Sequence, residues 1–383
     1  MYIRSLHLGD FRSWRQLDVD LTPGITVFAG PNGNGKTNII EALGYLAHLG
    51  SHRINSDAAL VRQGQSSARI SATAVNQGRE LTAHLVLNAQ GANQAAVNRT
   101  AVKNQRGIAG VVRTTLFAPE DLALVRGEPE QRRQFLDQTM IARYPRLAGV
   151  RSDYDKALRQ RNALLRSGDT DESALATLDV WDARLAHLGG QIMSARVQLV
   201  HDLAPHVADT YERLAPGSRP ALISYTATVG EHGGPGEPQL LDPEVAEALL
   251  LEGFAAKRSQ ELDRGITLVG PHRDDMLLTL GTQPAKGFAS HGESWSFALT
   301  LRLAAHRMHR ADGTEPVVIL DDVFAELDRT RRAALVELAS DAEQVLITAA
   351  VGEDIPEALL EKATVYQVRA NDTEDDGRIS ELS

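Results

Sequence analysis

The chain has 383 residues, of which 43% are hydrophobic and 23% are charged, a composition typical of a globular protein with a sizeable buried core. Its formal net charge is −10, and it contains no cysteine, which excludes disulfides, zinc knuckles, iron–sulfur clusters and a thiol nucleophile. No stretch approaches the ~20 apolar residues of a membrane helix, and the N-terminus lacks the apolar core of a signal peptide, so we expect a cytoplasmic protein without membrane contact.

The N-terminal part of the chain shows strand patterns on both sides of one predicted helix. After the turn at Pro23 and Gly24, the β-branched and aromatic run Ile25–Phe28 predicts a short strand. A glycine-rich loop follows, and apolar residues at helical spacing then predict a helix from Thr37 to about Leu49. Residues 68–105 have the pattern of strands and turns.

The middle of the chain has a helical pattern from about Gln131 to Arg213. Between Leu178 and Leu199, apolar residues at alternating spacings of three and four form a heptad-like stripe. The pair Gly189–Gly190 interrupts this stripe, so we do not expect a long coiled coil. The helical pattern returns from Asp242 to about Arg264.

The last part of the chain returns to an α/β pattern. Its strand candidates are the short apolar runs Ile266–Val269, Val317–Leu320 and Val345–Thr348. The second of these runs is typical of a buried parallel strand. The acidic, polar tail after Arg369 predicts frayed or edge structure.

This order of segments predicts an α/β domain that is interrupted by a helical lobe. We expect residues 1–130 to form the N-terminal part of a head domain and residues 131–264 to form an inserted, mainly helical lobe. Residues 265–383 then form the C-terminal part of the same head. The early glycine-rich loop and the late acidic strand have to meet in space.

A nucleotide-binding motif of the form G-x-x-x-x-G-K-[ST] lies between the first predicted strand and helix. Its glycines let the loop curl so that backbone N–H groups and the helix N-terminus point at phosphates. Lys36 supplies positive charge to the β- and γ-phosphates of ATP, and the Thr37 hydroxyl is suited to ligate Mg²⁺. A glycine-rich turn is the alternative. The predicted ATP-binding residues in this segment are Gly30, Pro31, Asn32, Gly33, Asn34, Gly35, Lys36, Thr37 and Asn38.

Two carboxylates follow the apolar run that ends at Leu320. Asp321 is predicted to hold Mg²⁺ through water beside Thr37, and Asp322 to orient or deprotonate the attacking water. Carboxylates at the C-terminal end of a strand lie where open α/β sheets bind ligands. A solvated turn is the alternative, which the complete glycine-rich motif makes less favoured.

The segment Ser290-His-Gly-Glu-Ser294 precedes a predicted helix. A serine and Gly292 at a helix N-terminus form an arrangement suited to anions. ABC-type ATPases carry at this place the signature loop, which binds the γ-phosphate held by the opposite protomer. The alternative is an ordinary helix N-cap at Ser290 or Ser294.

Several blocks of sequence resemble the RecF family, relatives of SMC proteins that lack their long coiled coil. The blocks are NGKTNIIEAL, SHRINSDAALVRQG, FAPEDLALVRGEP with QRRQFLD, GPHRDDM and ILDDVFAELD, and the resemblance extends from residue 1 to about 350. It implies an ABC-type ATPase head with a P-loop and a mixed sheet, ATP-dependent dimerisation, DNA binding and slow hydrolysis. It also implies RecO- and RecR-type partners and a role in loading recombinase at single-stranded gaps.

The resemblance assigns roles to further residues. By similarity to SMC-like heads, Arg53 approaches the nucleotide phosphates, unless it is a surface arginine after a helix. Asp322 stands where many ABC ATPases have glutamate, and Glu293 stands where glutamine often follows the signature glycine. Thr348 stands where transporters use histidine, and it either hydrogen-bonds the γ-phosphate or the attacking water or is a buried strand residue.

The GPHRDD block has two open interpretations. In the first, His272 and Arg273 face the nucleotide cleft. In the second, Arg273 pairs with the neighbouring Asp274 or Asp275.

Basic residues indicate where DNA binds. Only six of the 40 Lys and Arg residues are lysine, and arginine is the better residue for bidentate phosphate contacts. The low aromatic content of 5% argues against base stacking, so we expect contact with the backbone of duplex DNA or a gap junction. A solvated helix face is the alternative for each cluster. The candidates are Arg126, Arg132, Arg133, Arg143, Arg146, Arg151, Arg159, Arg161 and Arg166, and the helix face of Arg302, His306 and His309 or Arg310.

Three functions remain in competition. In the first, ATP lies between the P-loop of one subunit and Ser290 of the other, so that nucleotide binding closes a homodimer on DNA and hydrolysis releases it. The second is the ATPase subunit of a transporter, which usually has a smaller helical insertion. The third is a small-molecule kinase, which also uses a P-loop but has no need of a Ser-x-Gly loop at this spacing.

Overall fold

The computed structural model describes residues 1–51, 53–54, 56–168, 171–229, 237–324, 327–350, 357–373 and 377–383. The chain forms two compact units, each built from separate stretches of sequence. The first unit comprises residues 1–121, 213–216 and 298–383, and the second comprises residues 122–212 and 217–297. The domain boundaries near residues 131 and 265 stay a prediction.

The strands, in chain order, are β1 (Tyr2–Phe11), β2 (Trp14–Asp20), β3 (Gly24–Ala29), β4 (Ser67–Asn76), β5 (Arg79–Asn88), β6 (Gln94–Val97), β7 (Thr100–Val102), β8 (Thr114–Phe117), β9 (Ala221–Thr226), β10 (Asp275–Leu280), β11 (Gln283–Pro284), β12 (Val317–Asp321), β13 (Gln344–Ala349), β14 (Ala363–Thr373) and β15 (Gly377–Leu382). The helices are α1 (Lys36–His48), α2 (Leu122–Arg126), α3 (Pro129–Arg143), α4 (Leu147–Ser167), α5 (Glu172–Leu214), α6 (Glu237–Leu240), α7 (Pro243–Arg264), α8 (Ala285–Phe288), α9 (His291–Ala311), α10 (Arg329–Ser340) and α11 (Glu357–Leu360). Among the described helices, none is long and apolar enough to cross a membrane.

A six-stranded sheet in the first unit has the order β15-β14-β3-β13-β12-β8. Neighbouring strands run parallel, except that β15 pairs antiparallel with β14 at one edge. Every residue of β12 and β13 is buried, which explains why both strands are almost continuously apolar. The predicted strands at residues 317–320 and 345–348 are confirmed, and the polar tail contributes the edge strand β15.

The early and late parts of the chain meet in this sheet, as the order of segments predicts, because β3 pairs with both β13 and β14. In the observed register, Ala29 lies beside Ala349, and Thr348 lies beside Asp321. The carboxyl ends of β3, β13 and β12 therefore share one edge. This edge brings the loop after β3 next to Asp321 and Asp322.

A second, antiparallel sheet of the first unit has the order β2-β1-β4-β5-β6-β7. Buried residues of this sheet, such as Trp14, form one hydrophobic core with Ile39 of α1 and Leu346 of β13. The indole N–H of Trp14 also donates a hydrogen bond to Gly35 O at 3.0 Å. This bond fixes the start of α1 against the sheet.

The second unit contains helices α2–α7 and a small antiparallel sheet in the order β11-β10-β9. A fully buried arginine, Arg161, ties three of its helices together. Its guanidinium donates to Asp182 Oδ1 at 2.5 Å and to Glu261 Oε2 at 2.7 Å, and it lies 4.5 Å from the centre of the Phe254 ring. A buried charge is tolerated only with such partners, so Arg161 is structural and unsuited to DNA contact.

Gly189 and Gly190 interrupt the apolar stripe but not the helix, because α5 runs without a break from Glu172 to Leu214. A Cβ atom at Gly189 would lie 2.8 Å from Leu250 Cδ1, and one at Gly190 would lie 2.5 Å from Pro243 O. The two glycines therefore let α5 and the start of α7 approach closely. Tertiary packing explains them, and no local helix break is needed.

The predicted strand at Ile266–Val269 is wrong. Its backbone groups are satisfied by side chains, since Thr267 N donates to Asn162 Oδ1 at 2.8 Å and Leu268 N donates to Glu261 Oε1 at 2.7 Å. These bonds replace the ladder that a strand would need. The short apolar run belongs to a buried loop.

Candidate functional site

The loop between β3 and α1 adopts a conformation that depends on glycine. Gly33 and Gly35 have φ angles of 82° and 95°, in the left-handed region that residues with a Cβ atom rarely adopt. The loop curls around a cavity of about 290 Å³. Its backbone therefore has the shape that presents N–H groups to an anionic ligand.

Lys36 lies inside the curl and is 5% exposed. Its ammonium donates to Gly30 O at 2.7 Å and to Pro31 O at 3.0 Å, and it lies 3.3 Å from Asn32 Oδ1. Burial lowers the pKa of Lys36, while the charges of Asp322 and Asp321 act in the opposite direction. The site therefore holds a positive charge at the bottom of a loop whose conformation suits phosphates.

A hydroxyl and a carboxylate suited to Mg²⁺ lie side by side. Thr37 Oγ1 donates to Asp321 Oδ1 at 3.1 Å, across 284 residues of sequence. Among the described residues, no group of three or more His, Cys, Asp or Glu side chains is placed to hold a metal ion. Magnesium usually binds one or two carboxylates together with substrate phosphates, and seldom a full set of protein ligands. The pair of Thr37 and Asp321 fits this mode of binding.

Asp322 lines the cavity and has a φ of 52°, which is uncommon for a residue other than glycine. Its backbone N–H donates to Thr348 Oγ1 at 3.0 Å. Successive side chains of a strand point to opposite sides, and β12 ends at Asp321, so that Asp322 leaves the extended conformation. Consequently Asp321 contacts Thr37, while Asp322 reaches the cavity wall.

Thr348 is fully buried, and it does not line the cavity. Its hydroxyl donates to Asp321 Oδ1 at 2.5 Å and accepts the backbone N–H of Asp322. The structure therefore places Thr348 behind the two acidic residues, where it holds both of them. A direct contact of Thr348 with the nucleotide is not part of this geometry.

The structure brings most of the predicted nucleotide-binding residues to one cavity. Arg53 is 39% exposed, and its guanidinium lies 4.0 Å from the carboxylates of Glu41 and Glu120. Predicted residues of the first unit that do not line the cavity are Gly30, Pro31, Asn34, Asp321 and Thr348. The lining residues are Asn32, Gly33, Gly35, Lys36, Thr37, Asn38, Arg53 and Asp322.

Glu41 is a site residue that the sequence patterns did not reveal. It is fully buried on α1, where Arg12 binds both of its carboxylate oxygens at 2.8 and 2.9 Å. Burial opposes ionisation, but the hydrogen bonds from Arg12 and Ser51 lower the pKa of Glu41 overall. The charged carboxylate helps to hold Arg53 at the cavity wall. The signal in the sequence was a lone acidic residue on an otherwise apolar helix face.

Ser290 and Gly292 lie in the second unit, at the start of α9. The Ser290 hydroxyl accepts the backbone N–H of Glu293 at 3.2 Å, and the Glu293 carboxylate accepts the backbone N–H of Ser290 at 2.8 Å. This reciprocal pair is a capping box, which the S-x-x-E pattern could have revealed. It gives Glu293 a structural role, and the Ser290 N–H bond and Arg219 keep its pKa low. Ser290 itself is exposed.

The structure describes the GPHRDD block within the second unit. His272 is partly buried and lies 2.7 Å from the Tyr154 hydroxyl. Arg273 is exposed, and its Nε donates to Thr267 O at 3.3 Å, whereas Asp274 accepts from Tyr225 and other groups. Among the described residues, Arg273 does not pair with Asp274 or Asp275, so that interpretation is wrong, while the interpretation in which His272 and Arg273 face the nucleotide cleft stays a prediction.

The candidate DNA face of α9 is mostly buried. His306 and His309 are 4% and 6% exposed, and Arg302 donates to Asp121 Oδ1 at 2.7 Å. These three residues are therefore unsuited to DNA contact, whereas Arg310 is exposed and stays a candidate. Among the other candidates, Arg132, Arg143, Arg151 and Arg161 are engaged by carboxylates, and Arg133 donates to Asp274 O at 3.0 Å. The exposed candidates are Arg126, Arg146, Arg159 and Arg166.

Known proteins are similar in sequence to this chain over nearly its whole length. Residues 2–374 match the family model described as RecF/RecN/SMC N terminal domain. The DNA replication and repair protein RecF of Corynebacterium jeikeium is 64% identical over 402 residues, covering 96% of this chain and 95% of that protein. The chain belongs to the RecF family. Its RecF relative in Rhodococcus erythropolis is 50% identical, with 100% of this chain and 97% of the relative covered.

Solved structures confirm the fold of the RecF family in this chain. The structure of the recombination mediator protein RecF with ATP, from the RecFOR pathway, has a TM-score of 0.84 at 22% identity and covers 100% of this chain and 99% of its own. An SMC head bound to the winged-helix domain of ScpA has a TM-score of 0.55 at 14% identity, with 100% and 98% covered. The predicted ABC-type ATPase head with an inserted, mainly helical lobe is confirmed.

Proposed function

We propose that this protein is an ATP-dependent, DNA-binding recombination mediator that closes on DNA as an ATP-bound homodimer and hydrolyses ATP slowly. The observation that carries the proposal is the shared edge of the parallel sheet. There the P-loop cavity, Thr37, Asp321 and Asp322 lie together, although they come from opposite ends of the chain. Membership of the RecF family supports the DNA-repair role.

Each group at this edge has a chemical task. The loop N–H groups and Lys36 bind the phosphates of ATP, and Thr37 and Asp321 hold Mg²⁺, which neutralises charge on the β- and γ-phosphates. Asp322 orients the attacking water and accepts its proton. The short side chain of Asp322 reaches less far than glutamate would, which favours slow turnover. Arg53 adds positive charge at the cavity wall, where Glu41 helps to position it.

Dimerisation follows from the loop at the start of α9. Ser290 is exposed, its capping box fixes the first turn of α9, and Gly292 leaves the backbone accessible. In the proposed dimer, this loop contacts the γ-phosphate of ATP held by the P-loop of the partner subunit. ATP is then part of the interface, so binding closes the dimer and hydrolysis opens it.

DNA binds to the closed dimer through its phosphates. The chain has a net charge of −10, so the contacting surface must be a local basic one. The exposed Arg126, Arg146, Arg159 and Arg166 supply candidate contacts on the helical unit. Loading of recombinase at gaps, with RecO- and RecR-type partners, is inferred from a relative that acts in the RecFOR pathway.

The test uses Asp322→Asn, with Asp341→Asn as a matched control that removes one exposed carboxylate elsewhere in the first unit. We expect Asp322→Asn to bind ATP normally and to hydrolyse it at least ~100-fold more slowly, because general-base catalysis contributes about 10²–10⁴ in rate. It should also stay longer on fluorescent duplex DNA. The measurements are phosphate release and dissociation of the labelled duplex at several salt concentrations.

Three results would contradict parts of the proposal. If ATP does not raise the affinity of the wild-type protein for duplex DNA above that with ADP, the clamp is wrong. If Asp322→Asn hydrolyses ATP as fast as Asp341→Asn, Asp322 does not act on the water. A salt-independent affinity for DNA would exclude phosphate contacts as its basis.

A further inference from the structure

The hairpin formed by β14 and β15 contacts the P-loop through Asn34. The Asn34 side chain donates from Nδ2 to Val368 O at 3.1 Å and accepts at Oδ1 from Arg378 Nη2 at 3.0 Å. Its backbone carbonyl accepts from Ser380 Oγ at 2.7 Å. Three groups of the hairpin thus hold a single residue of the nucleotide-binding loop, and Asn34 is 7% exposed.

Two glycines of the P-loop are explained by the same hairpin. A Cβ atom at Gly30 would lie 2.2 Å from Val368 O, and one at Gly35 would lie 2.4 Å from Ser380 Oγ. Both distances are shorter than atoms tolerate without displacement of the backbone or the serine. The motif therefore needs glycine at these positions for close packing of the hairpin as well as for phosphate binding.

A directed chain of hydrogen bonds extends this contact to α1. Asn38 Nδ2 donates to Ser13 Oγ at 2.8 Å, and Ser13 Oγ lies 2.6 Å from Ser380 Oγ. A hydroxyl has a single proton, and Ser380 uses its proton on Asn34 O, so Ser13 donates to Ser380. This series of hydrogen bonds links both sides of the loop, and it includes Ser380, which is 2% exposed.

We propose that the β14–β15 hairpin is a positioning element for ATP, and that Arg378 and Ser380 set ATP affinity by holding Asn34. The inference rests on the ATP site proposed above. Asn34 lies between Gly33 and Gly35, which both have a left-handed backbone, and glycine has more backbone conformations open to it than other residues. Fixing Asn34 lowers the conformational entropy that the loop has to lose when ATP binds, and this raises affinity.

Arg378 differs in this role from a residue that merely stabilises the fold. It is exposed on the edge strand β15, and its guanidinium donates a hydrogen bond to Asn34 of the P-loop. Its loss should therefore act mainly on nucleotide affinity. Arg369 provides a matched control, because it is an exposed arginine on the same hairpin and its backbone pairs with Glu381.

The experiment measures ATP affinity by calorimetry, and KM and kcat for hydrolysis with duplex DNA present, on the full chain. We expect Arg378→Ala to weaken ATP binding about five-fold, the scale of one charge-assisted hydrogen bond near the surface. KM should rise by a similar factor, while kcat and the unfolding temperature without nucleotide stay close to wild type. Arg378→Lys should restore part of the affinity, and Arg369→Ala should leave it unchanged.

A double-mutant cycle with Asn34→Ala tests the path through Asn34. If Arg378 acts through that residue, Arg378→Ala has little further effect in the Asn34→Ala background. Fully additive losses, or an ATP affinity of Arg378→Ala equal to that of Arg369→Ala, would overturn the inference while leaving the ATP site intact. Failure of the wild-type protein to bind ATP would overturn the proposed site and the inference together.

Discussion

At the carboxyl edge of the parallel sheet, the Thr348 hydroxyl donates to the carboxylate of Asp321 and accepts the backbone N–H of Asp322. The two acidic residues follow each other in sequence, but their carboxylates have different surroundings. The carboxylate of Asp321 lies beside Thr37, and Asp322 lines the cavity. This difference supports the proposed division between a residue that holds Mg²⁺ and a residue that acts on water.

His272 is a histidine for which the structure predicts an effect of pH on stability. Burial lowers its pKa to about 4, and the nearby positive charges of Arg273, Arg133 and Arg151 act in the same direction. The unfolded chain, with an ordinary histidine pKa, therefore binds the proton more readily than the folded protein does. Stability from this group is present above pH 6.5 and is lost as the pH falls from 6.5 towards 4.

We expect His272→Gln to reduce the loss of unfolding free energy between pH 7.5 and pH 5 by about 2 kcal/mol. Urea unfolding at the two pH values measures this difference. The control is His201→Gln, which replaces a histidine that is 73% exposed. If both variants lose stability on acidification as steeply as the wild type, burial of His272 does not control the loss of unfolding free energy at low pH.

Site residues that lie close together in the sequence could be predicted, whereas contacts from residues distant in the sequence could not. The P-loop and the Asp321–Asp322 pair each lie within a few residues, so their chemistry can be recognised from local pattern. The contact of Arg378 with Asn34 joins residues 344 positions apart, and no local pattern encodes it. The capping box at Ser290 is an intermediate case, because its S-x-x-E spacing is local but was outweighed by the anion-binding interpretation.

At the scale of elements, glycines in helices have opposite roles in α5 and α4. The backbone of Pro243 and Glu247 leaves no room for a Cβ atom at Gly190, whereas Gly149 faces open space. The same substitution should therefore have opposite effects at the two positions. Helix propensity favours alanine in both, so only packing distinguishes them.

We expect Gly190→Ala to lower the free energy of unfolding by about 1–3 kcal/mol, the usual cost of overpacking. Gly149→Ala should be neutral or stabilising by up to about 1 kcal/mol. Thermal or urea unfolding of the two variants measures the contrast. Equal stabilities would show that α7 does not pack against α5 as closely as the structure indicates.

The strand that was predicted at residues 266–269 shows where element prediction from sequence ends. Its β-branched and aliphatic residues have strand propensity, but side chains from α4 and α7 satisfy the backbone of the segment. Such partners lie about a hundred residues away in one case and on the preceding helix in the other. Propensity in a short apolar run cannot distinguish a buried strand from a loop held in this way.

For the molecule as a whole, the head is assembled from the two ends of the chain. The sequence predicted this from the order of P-loop, helical lobe and acidic strand, and the pairing of β3 with β13 confirms it. An arrangement of this kind provides a P-loop cavity in one unit and an exposed Ser290 loop in the other. The central claim is that the two are used by different protomers around the same ATP.

The measurement that tests this claim most directly is light scattering of the purified protein with ATP and Mg²⁺. We compare the wild type with Ser290→Arg and with Ser290→Asp, because aspartate preserves the N-cap of α9 but places negative charge beside a phosphate. The account predicts that ATP converts the wild type to a dimer, while both variants bind ATP and remain monomeric. If the wild type binds ATP without dimerising, or if the variants dimerise normally, the shared ATP site is contradicted.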